Sequence, residues 1–242
     1  MTLKQQLNSI INDSKKLEKF LMENSNLPGP RANLELLFAF AEVYGNVDVL
    51  KQWIKISDEV ADVNNPKSFL PFCAAACFGK IYTKTGDKEL ITILKELSND
   101  SRWRTRETVA FAFQFIGENN FDDLKTIFNK WIKKSNNLEK RAMLVALAHP
   151  PMLNEERANY CFEILEHVIT TMNREENFDT LKKALEFVVS VYTVYSPSKG
   201  FVFMKNMIGE EKVFNTIVKS NLKKNRILKR YPEEVKKLES LL

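Results

Sequence analysis

A chain of 242 residues, 44% of them apolar and 11% aromatic, has the material for one sizeable core, which excludes a disordered or low-complexity protein. Its seven glycines are too few for the turns of a many-stranded β architecture, so helices joined by short turns are expected. The formal net charge of +5 is modest, and what matters is where it is concentrated.

The first twenty residues carry Lys4, Asp13, Lys15 and Lys16 and no apolar core of signal-peptide length, so no export signal is expected. Apolar periodicity predicts a helix near residues 3–24. In LPGPRAN, residues 27–33, Gly29 between Pro28 and Pro30 predicts a stiff turn, with Arg31 and Asn33 opening a helix near 31–45 at its positive end. Two polar groups there suit an anion or a partner's carboxylate. The alternative is that the prolines set the angle between two helices while Arg31 pairs with a nearby acid.

Helices near 47–57, 67–84 and 87–98 follow, and Pro71 either kinks the second of these or marks its first turn. Phe69 to Gly79 is the most apolar run, about half the length needed to cross a bilayer. Cys73 and Cys77 stand four apart, which is not a metal-knuckle spacing, and both read as small core fillers. With Cys161 they make an odd number, which fits a reducing cytoplasm better than a disulfide framework.

The next segment, NDSRWRTRETVAFAFQFIG, offers Asp100 or Ser101 as a cap for a helix near 101–117. Val109, Ala112, Phe113 and Ile116 fall on one face, while Phe111 and Phe115 form a second stripe. A helix apolar on two sides needs neighbours on two sides, which stacked repeats supply. Leu124, Ile127, Phe128, Trp131 and Ile132 give the next helix, near 121–134. One near 137–149 contains RAMLVALA, led by Arg141, which repeats the pattern RETVAFAF led by Arg106, 35 residues earlier. Periodic segments near 154–173, 177–195, 199–219 and 221–241, the last interrupted near Pro232, complete about five helix pairs plus an N-terminal helix. The expectation is an all-α solenoid occupying residues 1–242 as one domain.

His149 and His167 lack neighbours in a ligand pattern, and the chain has no Walker loop, dinucleotide glycine fingerprint, GxSxG or HExxH. No metal or cofactor is therefore expected. Between Lys212 and Pro232 stand Lys212, Lys219, Lys223, Lys224, Arg226, Lys229 and Arg230 with no acid among them. The chain is +5 and this stretch +7, which leaves −2 for the rest. Such a stretch suits phosphates, anionic lipid or an acidic partner, or else forms the solvated cap of a repeat array. A membrane-surface role would compete with packing for the apolar side formed by Val213, Phe214, Ile217, Val218, Leu222 and Leu228.

LPGPRANLELLFAF, SNDSRWRTRETVAFAFQFIG and RAMLVALAHPPML together resemble a family of bacterial HEAT-repeat proteins whose role is not established, over about residues 27–155. The resemblance implies a right-handed α-α superhelix and brings no catalytic residues. More distantly, the chain resembles the HEAT-like alkylpurine DNA glycosylases, with Trp103, Glu107 and Arg141 at positions comparable to that family's aromatic, aspartate and arginine. Glu107, Arg104 and Asn137 depart from its pattern. Two functions are thus expected: a non-enzymatic scaffold for a protein or peptide partner, or a DNA-binding protein using Arg31, Lys219, Lys223, Lys224, Arg226, Lys229 and Arg230, with Trp103, Glu107 and Arg141 at a lesion.

Overall fold

The run from Phe69 to Gly79 is buried without a break in the structure, a computed structural model that describes residues 2–242. A helix apolar all round needs neighbours all round, and this requirement organises the first half of the chain. The described residues are helical with no strand. They gather into two compact units, Met1–Asn120 and Phe121–Leu242.

The first unit runs through α1 (Leu3–Ile10), α2 (Ser14–Glu23), α3 (Leu34–Val43), α4 (Val47–Trp53), α5 (Phe69–Thr85), α6 (Lys88–Leu97) and α7 (Trp103–Asn119). Helices α1, α3, α5 and α7 follow one another side by side, and α2, α4 and α6 pack on α5 as a second layer. Small residues on α5 let α7 come unusually close. A Cβ placed on Gly79 would lie 2.5 Å from the Cα of Ala112 and 2.8 Å from its Cβ. Cys73 and Cys77 are wholly buried on this helix, and Pro71 falls in its first turn.

Several predicted boundaries move for local reasons. The helix expected over 3–24 breaks in two because the Asp13 carboxylate accepts from the Lys16 amide at 3.1 Å and starts α2. Asn33 delays α3 to Leu34 in the same way, accepting from the Leu36 amide at 3.0 Å. Neither Asp100 nor Ser101 caps α7. The Asp100 carboxylate is taken by Arg102, which donates from its amide at 2.8 Å and from Nε and Nη2 at 2.9 and 2.7 Å, and Ser101 donates to Asp58 at 2.6 Å.

The second unit comprises α8 (Phe121–Trp131), α9 (Asn137–Leu147), α10 (Glu155–Thr171), α11 (Phe178–Tyr195), α12 (Pro197–Met207), α13 (Lys212–Leu222), α14 (Asn225–Leu228) and α15 (Pro232–Glu239). Helix α11 is its hub and touches α9, α10, α12, α13 and α14. The buried Tyr192 hydroxyl donates to the Leu144 carbonyl at 2.7 Å, tying α11 to α9. Asn221, also buried, ties α11 to α13: its amide donates to Leu185 O at 2.8 Å and its oxygen accepts from Ser190 N at 2.8 Å. The helix expected over 199–219 is divided between α12 and α13, with Gly209 at φ 87° in the turn between them. The interruption expected near Pro232 is present, since α14 ends at Leu228 and Pro232 opens α15.

Two predictions follow from this packing. Gly79→Ala gains about 1 kcal/mol of helix propensity but forces α5 and α7 apart, an overpacking cost of about 1–3 kcal/mol. Because the atoms met are the backbone of Ala112, the upper part of that range applies, and the expected net loss of about 1–2 kcal/mol would appear as a lower urea midpoint, whereas an unchanged midpoint would show that the helices yield freely. The thiols of Cys73, Cys77 and Cys161 are all buried, and burial pushes their pKa values up. They should resist alkylation in the folded protein and react together on unfolding, and rapid labelling under native conditions would contradict that burial.

Candidate functional site

Among the described residues seven large apolar side chains are exposed, and three of them, Leu34, Phe38 and Trp103, stand close together on α3 and α7. On α7 the positions 103, 107, 111 and 115 are four apart and share a face, which aligns Trp103, Glu107, Phe111 and Phe115. Leu34, Phe38 and Glu42 make the matching row on α3. The Phe38 ring meets Phe111 edge-on at 5.3 Å and Phe115 at 5.9 Å, so the two rows touch at one end. Lys80 from α5 covers that end, lying 4.2 Å from the Phe115 ring centroid and 2.5 Å from the Glu42 carboxylate. Towards Trp103 the rows leave a groove of about 600 Å³, with Leu37 and Phe72 also in its lining.

The open end is built by a buried cation. Arg104 is 7% exposed, and its guanidinium donates to the carbonyls of Gly29 at 2.6 Å, Val63 at 3.3 Å and Pro30 at 3.4 Å. Each of these carbonyls belongs to a loop and lacks a helical partner, so a planar donor with several N–H groups suits them. Burial pushes the Arg104 pKa down, though arginine keeps its charge at neutral pH. The same guanidinium lies 4.3 Å from the Trp103 ring centroid and so fixes one face of an indole that remains 47% exposed. Arg102 next to it is 4% exposed and binds Ala61 O at 3.2 Å besides Asp100.

The structure therefore places Trp103, Glu107 and Arg31 together in the lining of one groove. Arg31 is exposed there, and among the described residues its side chain has no ion pair or hydrogen bond. Asn33 also lines the groove, but its side chain caps α3 and donates to Asn24 O at 2.9 Å. Arg141 is half-buried on α9 of the second unit. Its neighbours Asn137 and Lys140 serve the fold of that unit. The Asn137 amide donates to Asn173 O and Glu176 O, both at 2.7 Å, and the Lys140 ammonium donates to Thr171 O at 2.5 Å. Burial lowers the Lys140 pKa.

Lys219, Lys223, Arg226, Lys229 and Arg230 are exposed and Lys224 is half-buried, and among the described residues none of these side chains enters an ion pair. The apolar side of α13 is spent inward, since Phe214, Ile217, Val218 and Leu222 are buried. No helix of the described residues is long and apolar enough to cross a membrane, and no group of three or more His, Cys, Asp or Glu among them is placed to hold a metal ion. Sequence reasoning passed over Leu34 and Phe38 and noted Arg104 only as a departure from a family pattern. The four-residue spacing from Trp103 to Phe115 was the available signal, but it names a face without saying whether that face is covered.

The chain matches no protein-family model, no curated protein and no solved structure with which it was compared.

Arg104→Met keeps much of the aliphatic packing and removes the donors, leaving the three loop carbonyls without their shared partner. A loss of about 2–3 kcal/mol is expected from unsatisfied buried groups, with faster proteolysis within residues 27–33. Arg104→Lys should recover only part of it, because one ammonium cannot reproduce the planar fork. Thermal unfolding and limited proteolysis of both variants test this, and wild-type behaviour in Arg104→Met would refute the role.

Proposed function

We propose that the chain is a non-enzymatic binding scaffold of the HEAT-like, superhelical type, and that the groove between α3 and α7 holds an extended segment of a protein partner. The solenoid reading is supported by the order of contacts within each unit, where alternate helices share a layer. The single observation that carries the binding reading is the clustering of Leu34, Phe38 and Trp103 beside one groove. Large apolar groups gathered at the surface are a cost in water that a partner removes. A volume of about 600 Å³ is within the range of ligand sites and admits one or two apolar side chains. Arg31 adds a cation at the mouth for a carboxylate of the same segment.

Binding is favoured over chemistry by the state of Trp103. Its ring already carries the Arg104 guanidinium on one face, so it is poorly disposed to stabilise a second positive charge developing in a substrate. An indole held rigidly and half exposed is well suited to serve as an apolar anchor.

Trp53 and Trp131 are only 3% and 6% exposed, so Trp103 is the indole whose emission should respond to occupancy of the groove. Peptides selected by display against the protein should shift its fluorescence to shorter wavelength. Trp103→Ala and Leu34→Asp, both at exposed positions, should each weaken such peptides about 30-fold or more, the loss of a central anchor. Selected peptides that bind both variants as well as the parent would remove the groove from the reading.

A further inference from the structure

A second cleft, independent of the groove just described, lies in the second unit between α11 and α14. It encloses about 520 Å³, and Phe187, Val191, Val194 and Tyr195 of α11 line it together with Arg226 and Arg230. Positions 187, 191 and 194 recur at helical spacing, so this side of α11 is apolar, with Val191 buried at its base and Phe187 and Val194 half-buried. Arg226 and Arg230 are four residues apart, and helical hydrogen bonding continues past α14, with Lys229 N on Asn225 O at 3.1 Å and Arg230 N on Ile227 O at 3.1 Å. Their side chains therefore emerge on one side, about 5–6 Å apart at Cβ.

No acid lines the cleft, and among the described residues neither guanidinium has an ion pair or a hydrogen bond. Glu233, the next acid along the chain, is paired with Lys236 at 3.3 Å. Two other cations of this unit are paired, Arg174 with Glu211 at 2.8 Å and Lys182 with Glu186 at 3.5 Å. The Tyr195 hydroxyl is taken up by Pro150 O at 3.3 Å, so it does not offer its proton to a ligand.

We propose that this cleft binds an acidic peptide segment of a partner protein, with an apolar side chain seated against Val191 and Val194 and flanking carboxylates on Arg226 and Arg230. Charge complementarity supplies the sign of the occupant, and the lining supplies its class. A nucleobase placed on aliphatic Val191 and Val194 would lose hydrogen bonds to water and find few replacements, a penalty an apolar side chain does not pay. Two guanidinium groups one turn apart match carboxylates on neighbouring side chains and bind them with directed hydrogen bonds. The lysines of α13 would steer a polyanion without selecting it.

The test measures the full-length protein against a fluorescent peptide with glutamates flanking a Phe-Leu pair. Companion probes replace the glutamates by glutamine or the Phe-Leu pair by serine, and oligothymidine of similar length serves as the nucleic-acid arm. The acidic apolar peptide should bind, with affinity falling as salt rises, and both companion peptides should bind at least about tenfold more weakly. R226E with R230E should cost about tenfold or more, while K219E with K223E, on α13 and the residue that follows it, should change affinity by less than about threefold at moderate salt. All four positions are exposed, and far-UV circular dichroism checks that the variants fold. Equal loss from the two pairs of substitutions would show a diffuse basic surface and overturn the proposal. So would oligothymidine binding more tightly and displacing the peptide, binding that ignores the Phe-Leu pair, or no measurable binding of the acidic peptide.

Discussion

The first unit depends on the enclosure of α5. A stretch that is apolar on every side has no face to give to water, so it is stable only when helices surround it. Gly79 and the small residues near it let α7 settle against it, with its backbone nearly in contact at Ala112. Helices α3 and α7 then flank a helix that is narrow along this line, and Phe38 reaches Phe111 and Phe115 across it. The groove is the part of that gap where no aromatic bridge closes it. Its existence is thus a consequence of packing small residues at the centre and large ones on either side.

Loops in both units are held by buried polar side chains that donate to backbone carbonyls. Arg104 gathers the 29–30 and 63 segments, Arg102 takes Ala61, Lys140 takes Thr171 and Asn137 takes Asn173 and Glu176. Carbonyls outside helices must find donors when water is excluded, and long side chains rooted at the start of a helix can reach several at once. The cost is desolvation of a charge, visible in the lowered pKa values of Arg104 and Lys140. At Arg104 the arrangement has a second effect, because the same guanidinium fixes the indole at the mouth of the groove.

The groove and the cleft differ in the chemistry of their linings. The groove of the first unit presents apolar groups at its rim and both signs of charge in its lining, where Arg31 and Glu107 both stand. The cleft of the second unit has cations alone above an apolar lining.

The helical class was legible from the few glycines and the recurring apolar spacings, and most helix positions were legible to within a few residues. Asp13 and Asn33 are of residue types that cap helices, yet a capping side chain competes with helix continuation, and only the fold shows which prevails. Glu107 and Trp103 were singled out by a resemblance, whereas Arg104 was noted only as a departure from it, since a lone arginine gives no sign of being buried. The basic stretch from Lys212 to Arg230 could be read as charge, but its division into a packed α13 and an exposed α14 could not. The sequence by itself determined which residues form helices and which faces are apolar, because those depend on neighbours within a turn or two. Tertiary structure alone decided which apolar faces are covered and which cations remain unpaired, because those depend on side chains brought together from distant parts of the chain.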